Sequence, residues 1–190
     1  MDSNYWNSRY RNDDVPWDAS AITTPIKEYI DQLTNKSLRI LIPGCGHAHE
    51  AEYLFRQGFT AVYVCDWAEQ SLLNFSERVP DFPKDQLLCT DFFAIDQKFD
   101  LVIEQTFFCT LEQLEQRKAY ARKVRDLLSE GGKLVGLFFE MEKADGPPFG
   151  GNREQYQAIF EGLFSDVSFE SAYNSIKPRA GKELFGMCRV

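Results

Sequence analysis

The sequence predicts an α/β protein with a doubly wound, mostly parallel sheet of seven strands that ends in an antiparallel hairpin. Three observations lead to this prediction. Short apolar runs alternate with segments of helical periodicity over residues 38–139. Glycine or proline follows several of the helical segments. After residue 163, two apolar runs follow one another with no helix between them, which is typical of a hairpin.

The elements alternate in the order that a parallel sheet with right-handed crossovers requires. The predicted strands cover residues 38–42, 61–65, 86–89, 99–103, 133–139, 167–173 and 184–190. The predicted helices cover residues 24–32, 48–57, 67–78, 112–129 and 154–163. Gly58, Pro80 and the pair Gly131-Gly132 are expected to end three of these helices. We expect one domain over residues 1–190, in which residues 1–37 form an irregular arm and a helix that cover the site.

Composition limits the classes of partner. The chain has 190 residues and a net charge of −8, which disfavours nucleic acid and anionic membranes as partners. Neither a signal peptide nor a membrane-spanning run is expected. Four of the five cysteines lie in or beside apolar runs, at positions 45, 65, 89 and 188, which indicates buried reduced thiols. We therefore expect a cytoplasmic monomer that acts on a small molecule.

A glycine turn and a carboxylate point to a ribose-containing ligand. The first strand runs into Gly44-Cys45-Gly46, where glycine lets the backbone turn tightly and approach a ligand. Asp66 ends the second strand, 20 residues after Gly46. A carboxylate at that spacing accepts hydrogen bonds from ribose hydroxyls. The pattern alone fits several nucleotide ligands.

The residues around the turn favour S-adenosylmethionine over a dinucleotide. A dinucleotide turn needs a third glycine where this chain has His49, and Glu50 and Glu52 lie where a pyrophosphate would bind. S-adenosylmethionine has no phosphate and carries a sulfonium cation, which suits acidic surroundings. Asp91-Phe92 and Glu104 end the third and fourth strands and should lie at the same sheet edge.

Motifs along nearly the whole chain resemble the thiopurine methyltransferase superfamily, which includes plant and bacterial thiol and halide methyltransferases. Their order and spacing match as well as their residues. The matching stretches are Trp6 with Tyr10, Pro16-Trp17-Asp18, Ile42-Pro43-Gly44-Cys45-Gly46, Asp91-Phe92-Phe93, Phe99-Asp100-Leu101-Val102, Phe107-Phe108-Cys109, Arg117 with Tyr120-Ala121, Leu127-Leu128 and Gly146-Pro147-Pro148-Phe149. The chain departs mildly from the family pattern at Ala48, Glu50 and Tyr10.

The resemblance implies a Rossmann-like class I methyltransferase fold, S-adenosylmethionine as cofactor, and a role for each matching residue. Aromatic residues of the arm would close over the cofactor, Gly44 would lie at its methionine end, Asp66 would bind the ribose, Asp91 with Phe92 would bind the adenine, and Gln105 would lie under the sulfonium. The predicted cofactor-binding residues are Trp6, Tyr10, Trp17, Gly44, Cys45, Gly46, Asp66, Trp67, Asp91, Phe92, Glu104 and Gln105.

The resemblance also places Arg117 on the substrate side. Arg117 precedes Tyr120 by one turn on the apolar face of its helix, and a cation there could hold a thiolate or halide. We therefore predict methyl transfer to a small soft nucleophile: a thiol, a thiopurine or a halide. The alternatives are a cofactor-binding module without turnover and, less favoured, a nicotinamide-linked oxidoreductase. His47 and His49 have no evident third ligand nearby in the sequence, so no metal site is predicted.

Overall fold

The sheet and its flanking helices follow the predicted order. The computed structural model describes residues 1–142 and 145–190. The α-helices within that part of the chain are α1 (Ser3–Arg11), α2 (Thr24–Asp31), α3 (His49–Arg56), α4 (Glu69–Arg78), α5 (Leu114–Leu127) and α6 (Arg153–Phe160). The strands are β1 (Arg39–Pro43), β2 (Ala61–Asp66), β3 (Leu87–Cys89), β4 (Phe99–Gln105), β5 (Leu128–Phe139), β6 (Asp166–Ser171) and β7 (Glu183–Arg189).

The strands form one sheet in the order β3-β2-β1-β4-β5-β7-β6. Strands β1 to β5 pair in parallel, whereas β7 is antiparallel to both β5 and β6. This topology confirms the predicted fold class, including the closing hairpin. None of the helices in residues 1–142 and 145–190 could span a membrane.

Two apolar cores lie on opposite faces of the sheet. Because side chains alternate along a strand, Ile40 and Ile42 of β1 pack with α2, α3 and α4, while Leu41 packs with α5 and α6. The parallel strands are thus buried on both faces, as their continuous apolar runs predict. All five cysteines are free. Cys89 is exposed, contrary to the expectation that it is buried, because β3 is an edge strand.

Two local predictions were wrong. The helix before β5 ends at Leu127, four residues before Gly131, because the strand pairing already begins there. Phe99 pairs with Leu128 and Leu101 pairs with Lys133, so the glycines lie in a bulge of β5 instead of ending a helix.

The arm, residues 1–22, is not irregular throughout, because its first part is helix α1. The Asp2 side chain accepts a hydrogen bond from the Tyr5 amide at 2.9 Å and caps this helix. Trp6 and Tyr10 are four residues apart and therefore lie on one face of α1. A helical arm holds its aromatic side chains in fixed relative positions, which an irregular segment would not.

Candidate functional site

A cavity of about 830 Å³ opens where the five parallel strands end. Residues that follow or end β1 to β5 line it on one side, and the arm lines it on the other. Its size lies within the range of 300–1,000 Å³ that is typical of small-molecule sites. Ligands of open α/β sheets bind at this edge. Eleven of the thirteen residues predicted for the site line the cavity; the exceptions are Glu104 and Arg117.

The turn after β1 approaches the cavity with its backbone. Gly44 and Gly46 have φ angles of +54° and +53°, a left-handed conformation that favours glycine. A Cβ on Gly44 would lie 2.6 Å from the ring of Phe107. The Cys45 amide donates to the Cys65 carbonyl at 3.1 Å and so fixes the turn to β2. Side-chain-free backbone therefore forms this part of the wall.

Asp66 is a buried carboxylate at the end of β2. Its Oδ2 accepts a hydrogen bond from the Gly46 amide at 3.2 Å, and its Oδ1 accepts one from the Ala68 amide at 2.9 Å. The Ser71 hydroxyl binds the Gly46 carbonyl at 2.7 Å. Burial raises the pKa of Asp66, although these hydrogen bonds oppose the shift. Asp66 is thus oriented by the glycine turn and lines the cavity beside it.

Aromatic side chains lie near the ends of β2 and β3. Asp91 caps a short 3-10 turn by accepting from the Phe93 amide at 2.9 Å. Phe92 is only 4% exposed and stacks on Tyr120, with the ring centroids 5.3 Å apart. Phe93 and Trp67 are 40% and 39% exposed and also line the cavity. Of these rings, Phe93 and Trp67 offer the most free surface to a planar ligand.

Three rings of the arm pack edge to face above the glycine turn. Trp17 lies 5.3 Å from Trp6 and 6.0 Å from Tyr10, each with interplanar angles above 80°. The guanidinium of Arg9 lies 4.8 Å from the Trp17 ring. The Tyr10 hydroxyl lies 3.0 Å from the position of a Cβ on Gly46. Burial and the nearby Asp66 raise the pKa of Tyr10, so its phenol is neutral.

Polar contacts from three other segments hold the arm in place. The Asn7 side chain accepts from the Gln70 amide at 2.9 Å, and Arg179 donates to the Trp17 carbonyl at 2.7 Å. Asp18 contacts both histidines of the chain: Oδ1 lies 2.9 Å from His49 Nε2, and Oδ2 lies 3.2 Å from His47 Nδ1. Burial by itself would raise the pKa of Asp18, but the two histidines together hold it well below its ordinary value.

Glu104 lies inside the core instead of on the cavity wall. Its Oε1 accepts from the amides of Phe107 and Phe108 at 2.8 and 2.7 Å, and its Oε2 accepts from the Tyr120 hydroxyl at 2.6 Å. Burial raises the pKa of Glu104 to about 7. Adjacent residues of a strand point to opposite faces, so Gln105 lies at the cavity while Glu104 supports the loop beneath it.

Arg117, which was predicted to face the substrate side, does not itself line the cavity. It is buried, and its guanidinium donates to the carbonyls of Leu111, Phe149 and Gly150 at 2.8 to 3.2 Å. The helix position therefore directs this side chain to the loop around Pro147 and Pro148, whose rings line the cavity. Its contacts are those of a residue that positions the wall, not of one that faces a ligand.

Two residues of the wall, Asp18 and Arg179, are not among the predicted site residues. Arg179 lies in the turn between β6 and β7 and lines the cavity, with one donor on Trp17 and another 3.4 Å from Glu183. Asp18 lies beside His47 and His49 and adds a third side chain of a type that can bind a metal ion. No such third side chain was evident from the sequence. Asp18 lies 29 and 31 residues from the two histidines, and Arg179 lies 162 residues from Trp17, so local spacing did not predict these contacts.

Cys45 and Cys109 line the cavity but do not resemble nucleophiles. Burial raises the pKa of the Cys109 thiol to about 12 and that of the Cys45 thiol well above its ordinary value. The nucleophilic form of cysteine is the thiolate. Both side chains are therefore small packing residues of the cavity wall.

Comparison with known sequences gives a consistent result. The family model described as "Thiopurine S-methyltransferase (TPMT)" matches residues 1–189. "Probable thiol methyltransferase 2" of Arabidopsis thaliana is 28% identical over 188 residues, which covers 95% of this chain and 82% of the plant protein. "Thiopurine S-methyltransferase" of Vibrio vulnificus is 22% identical over 204 residues, with 96% and 92% of the two chains covered. These matches confirm the resemblance that the motifs predicted.

Solved structures share the fold. The crystal structure of the 1,6-didemethyltoxoflavin-N1-methyltransferase of Burkholderia thailandensis, with bound 1,6-didemethyltoxoflavin and S-adenosylhomocysteine, superposes with a TM-score of 0.76. It is 16% identical, and the match covers 98% of this chain and 86% of that one. At such an identity the similarity shows the class I methyltransferase fold alone.

Proposed function

This chain belongs to the thiopurine S-methyltransferase family, whose members use S-adenosylmethionine, and from that premise we propose that it methylates a small soft nucleophile: a thiol, a thiopurine or a halide. The observation that carries the proposal is the cavity at the strand ends, where a ribose-type carboxylate, a glycine turn and an aromatic arm meet. Family membership supports methyl transfer as the reaction, and the cavity supports the choice of acceptor.

We propose that the half of the cavity above β1, β2 and β3 holds the cofactor. Asp66 would accept hydrogen bonds from the ribose, the glycine turn would lie against the methionine end, and Trp67 and Phe93 would flank the adenine. These residues lie on the wall of one cavity and are oriented by the neighbouring backbone. An uncharged or cationic ligand fits this half better than a pyrophosphate does, because Asp66 contributes a carboxylate to its wall.

The other half of the cavity, above β4 and β5, is the proposed acceptor side. Its lining is mainly apolar and includes Phe107, Leu111, Phe139, Pro147 and Pro148. An apolar lining removes water from a thiol or halide, and a less hydrated soft anion is a stronger nucleophile. In the sheet β4 is next to β1, so this half adjoins the proposed cofactor half. An acceptor held there would lie beside a bound cofactor, and the walls would fix the orientation of the two.

When bound, the cofactor supplies an electrophilic methyl group on a sulfonium. The chain then has to align the acceptor with the cofactor, remove water from the acceptor and enclose both. The arm rings close the cavity from above, and the loop that Arg117 holds closes it at the acceptor side. We propose that Arg179, not Arg117, is the cation that favours an anionic acceptor, because Arg179 lines the cavity and Arg117 does not.

The test combines binding with turnover. Titration calorimetry with S-adenosylmethionine, S-adenosylhomocysteine and NAD should give micromolar binding of the two adenosyl ligands and none of NAD. Transfer of labelled methyl groups is then measured for an aliphatic thiol, an aromatic thiol, a thiopurine and iodide, with the matching alcohols as controls. Methylation of the soft acceptors and not of the alcohols is expected. Binding without transfer to any of them would favour the module without turnover, and binding of NAD alone would favour an oxidoreductase.

We further propose that residues 1–190 form one domain that works as a cytoplasmic monomer on a small molecule. The five free thiols and the acidic charge support this view. Light scattering coupled to gel filtration, at the concentration of the activity assay, tests the oligomeric state. A particle of twice the chain mass would contradict the proposed monomer.

A further inference from the structure

The contact between the arm and the glycine turn has the composition of a metal site. Asp18, His47 and His49 each offer one ligand atom, and these atoms all lie within 4.8 Å of one another. The three side chains are half-buried and line the cavity. The two histidines are the only ones in the chain, and both converge on the same carboxylate.

The backbone explains this convergence. Residues at i and i+2 normally diverge at the start of a helix, but Ala48 between the two histidines has φ +53° and ψ +40°. This left-handed conformation is unfavourable for an alanine, and it turns the two rings toward one side, with their centroids 5.9 Å apart. Strained backbone of this kind is common where side chains are held for binding.

The distances suit a small divalent ion. Zinc binds imidazole nitrogen and carboxylate oxygen at about 2.0–2.2 Å, so tetrahedral ligand atoms lie about 3.3 Å apart. In the structure the Asp18 oxygens lie 2.9 Å from His49 Nε2 and 3.2 Å from His47 Nδ1. All three ligand atoms lie within 4.8 Å of one another, so rotation of the side chains would bring them to the separation that the ion requires. Two imidazoles and one carboxylate favour zinc or cobalt over magnesium or calcium, which prefer oxygen ligands.

We propose that Asp18, His47 and His49 bind a divalent ion of the zinc class, which cross-links the arm to the glycine turn at the wall of the cavity. Three protein ligands leave a further coordination position for water or for a group in the cavity. The ion would tie Asp18 of the arm to the turn that carries Gly44 and Gly46, and so secure the segment that bears Trp17. This binding is independent of methyl transfer.

The first experiment measures binding without cofactor or acceptor. Untagged protein is freed of metal by a chelator and titrated with Zn²⁺ in the calorimeter and with Co²⁺ in the spectrometer. We expect one ion per chain and the intense visible absorption of four-coordinate cobalt. A chain that binds no Zn²⁺ in this titration would overturn the proposal.

Variants identify the ligands. His49→Ala should weaken Zn²⁺ binding by at least about 100-fold and abolish the cobalt absorption, and Asp18→Asn should weaken binding because a carboxamide is a poor ligand for zinc. Asp13→Asn, an exposed acid in the same arm with a φ of +53° that asparagine tolerates, is the matched control. Cys89→Ser removes the exposed thiol. Zinc affinity that stays unchanged in His49→Ala, or that is lost in Cys89→Ser, would contradict the assignment.

A second readout guards against misfolded variants. Zn²⁺ should raise the melting temperature of the native chain and of Asp13→Asn but leave that of His49→Ala unchanged. Circular dichroism of the metal-free forms shows whether each variant is folded. A zinc-dependent rise of equal size in a folded His49→Ala variant would place the ion elsewhere.

Discussion

The floor and the arm of the cavity are built by different means. The floor, which comprises Gly44–Gly46, Asp66 and the loop supported by Glu104, is held by hydrogen bonds that involve backbone amides of the parallel sheet and its loops. The arm is held mainly by side chains: edge-to-face rings and polar contacts of Asn7 and Asp18. Damage to the floor should therefore cost fold stability, whereas damage to the arm should cost binding.

The largest effect is expected at Gly44 in the floor. Gly44→Ala adds a left-handed alanine, which costs about 1–2 kcal/mol, and a Cβ 2.6 Å from the Phe107 ring, for which overpacking adds about 1–3 kcal/mol. The free energy of unfolding should fall by about 3 kcal/mol or more in urea denaturation. Gly58→Ala, with φ +85° and nothing within 4 Å, carries only the backbone cost. Equal losses in the two variants would contradict the steric argument.

Next in size is a pH effect from Glu104. Burial raises its pKa from the ordinary value of 4.5 to about 7 in the folded chain. The folded chain then binds more protons than the unfolded chain between these values, so stability falls as pH rises through that window. The free energy of unfolding should decrease by up to about 1.4 kcal/mol per pH unit from this group.

The control for this effect is Glu104→Gln, which keeps an oxygen for the two loop amides but cannot ionise. Asp66 and Glu50 also have pKa values raised by burial, so the difference between the two pH profiles isolates Glu104. Urea denaturation between pH 4.5 and 8 should show the steeper decline in the native chain. Parallel profiles would remove Glu104 as the cause.

In the arm, Trp17→Ala should leave the fold intact and weaken the binding of the cofactor. Loss of two aromatic pairs and one cation–π contact removes about 2 kcal/mol that keeps the arm closed over the floor. Because S-adenosylmethionine then has to order the arm when it binds, its affinity should fall by up to roughly 30-fold. Unfolding free energy should change by less than about 1 kcal/mol. Tyr5→Ala, which removes an exposed ring from the same arm, should leave affinity nearly unchanged. A global loss of stability in Trp17→Ala would erase the distinction between arm and floor.

The smallest expected effect distinguishes the roles of Arg179 and Arg117 in turnover. Arg179→Ala should lower the rate with an anionic acceptor about tenfold, a loss of about 1.4 kcal/mol, at saturating cofactor. Arg117→Ala should act through the loop around Pro147 and should lower turnover with charged and neutral acceptors alike. Turnover with a thiol is measured above and below the pKa of that thiol. A charge-selective loss in Arg117→Ala, and none in Arg179→Ala, would restore the role that the sequence predicted for Arg117.

The same contrast explains what could be predicted from the sequence. The floor depends on strands, turns and spacing, so Gly44, Asp66 and Asp91 were located at the cavity from local pattern alone. The placement of Glu104 could not be derived. The sequence predicted that Glu104 lies at the end of its strand, but not whether its side chain points into the core or into the cavity. The contacts of Asp18 with the two histidines and of Arg179 with Trp17 join residues 29 or more positions apart. Such contacts are set by tertiary packing, which no local motif records.

The hydrogen bond between Arg179 and the Trp17 carbonyl also has a consequence for biosynthesis. Its partners are separated by 162 residues, and the last strand to be made, β7, lies between β5 and β6. While a ribosome adds the roughly 40 residues between Phe139 and Arg179, about 2 to 8 seconds pass. Until β7 pairs with it, β5 is a sheet edge without its outer neighbour, and until Arg179 is made, the arm lacks its contact with the far end of the chain. A chaperone that binds this edge during synthesis would act on a chain whose floor can form before Arg179 holds the arm.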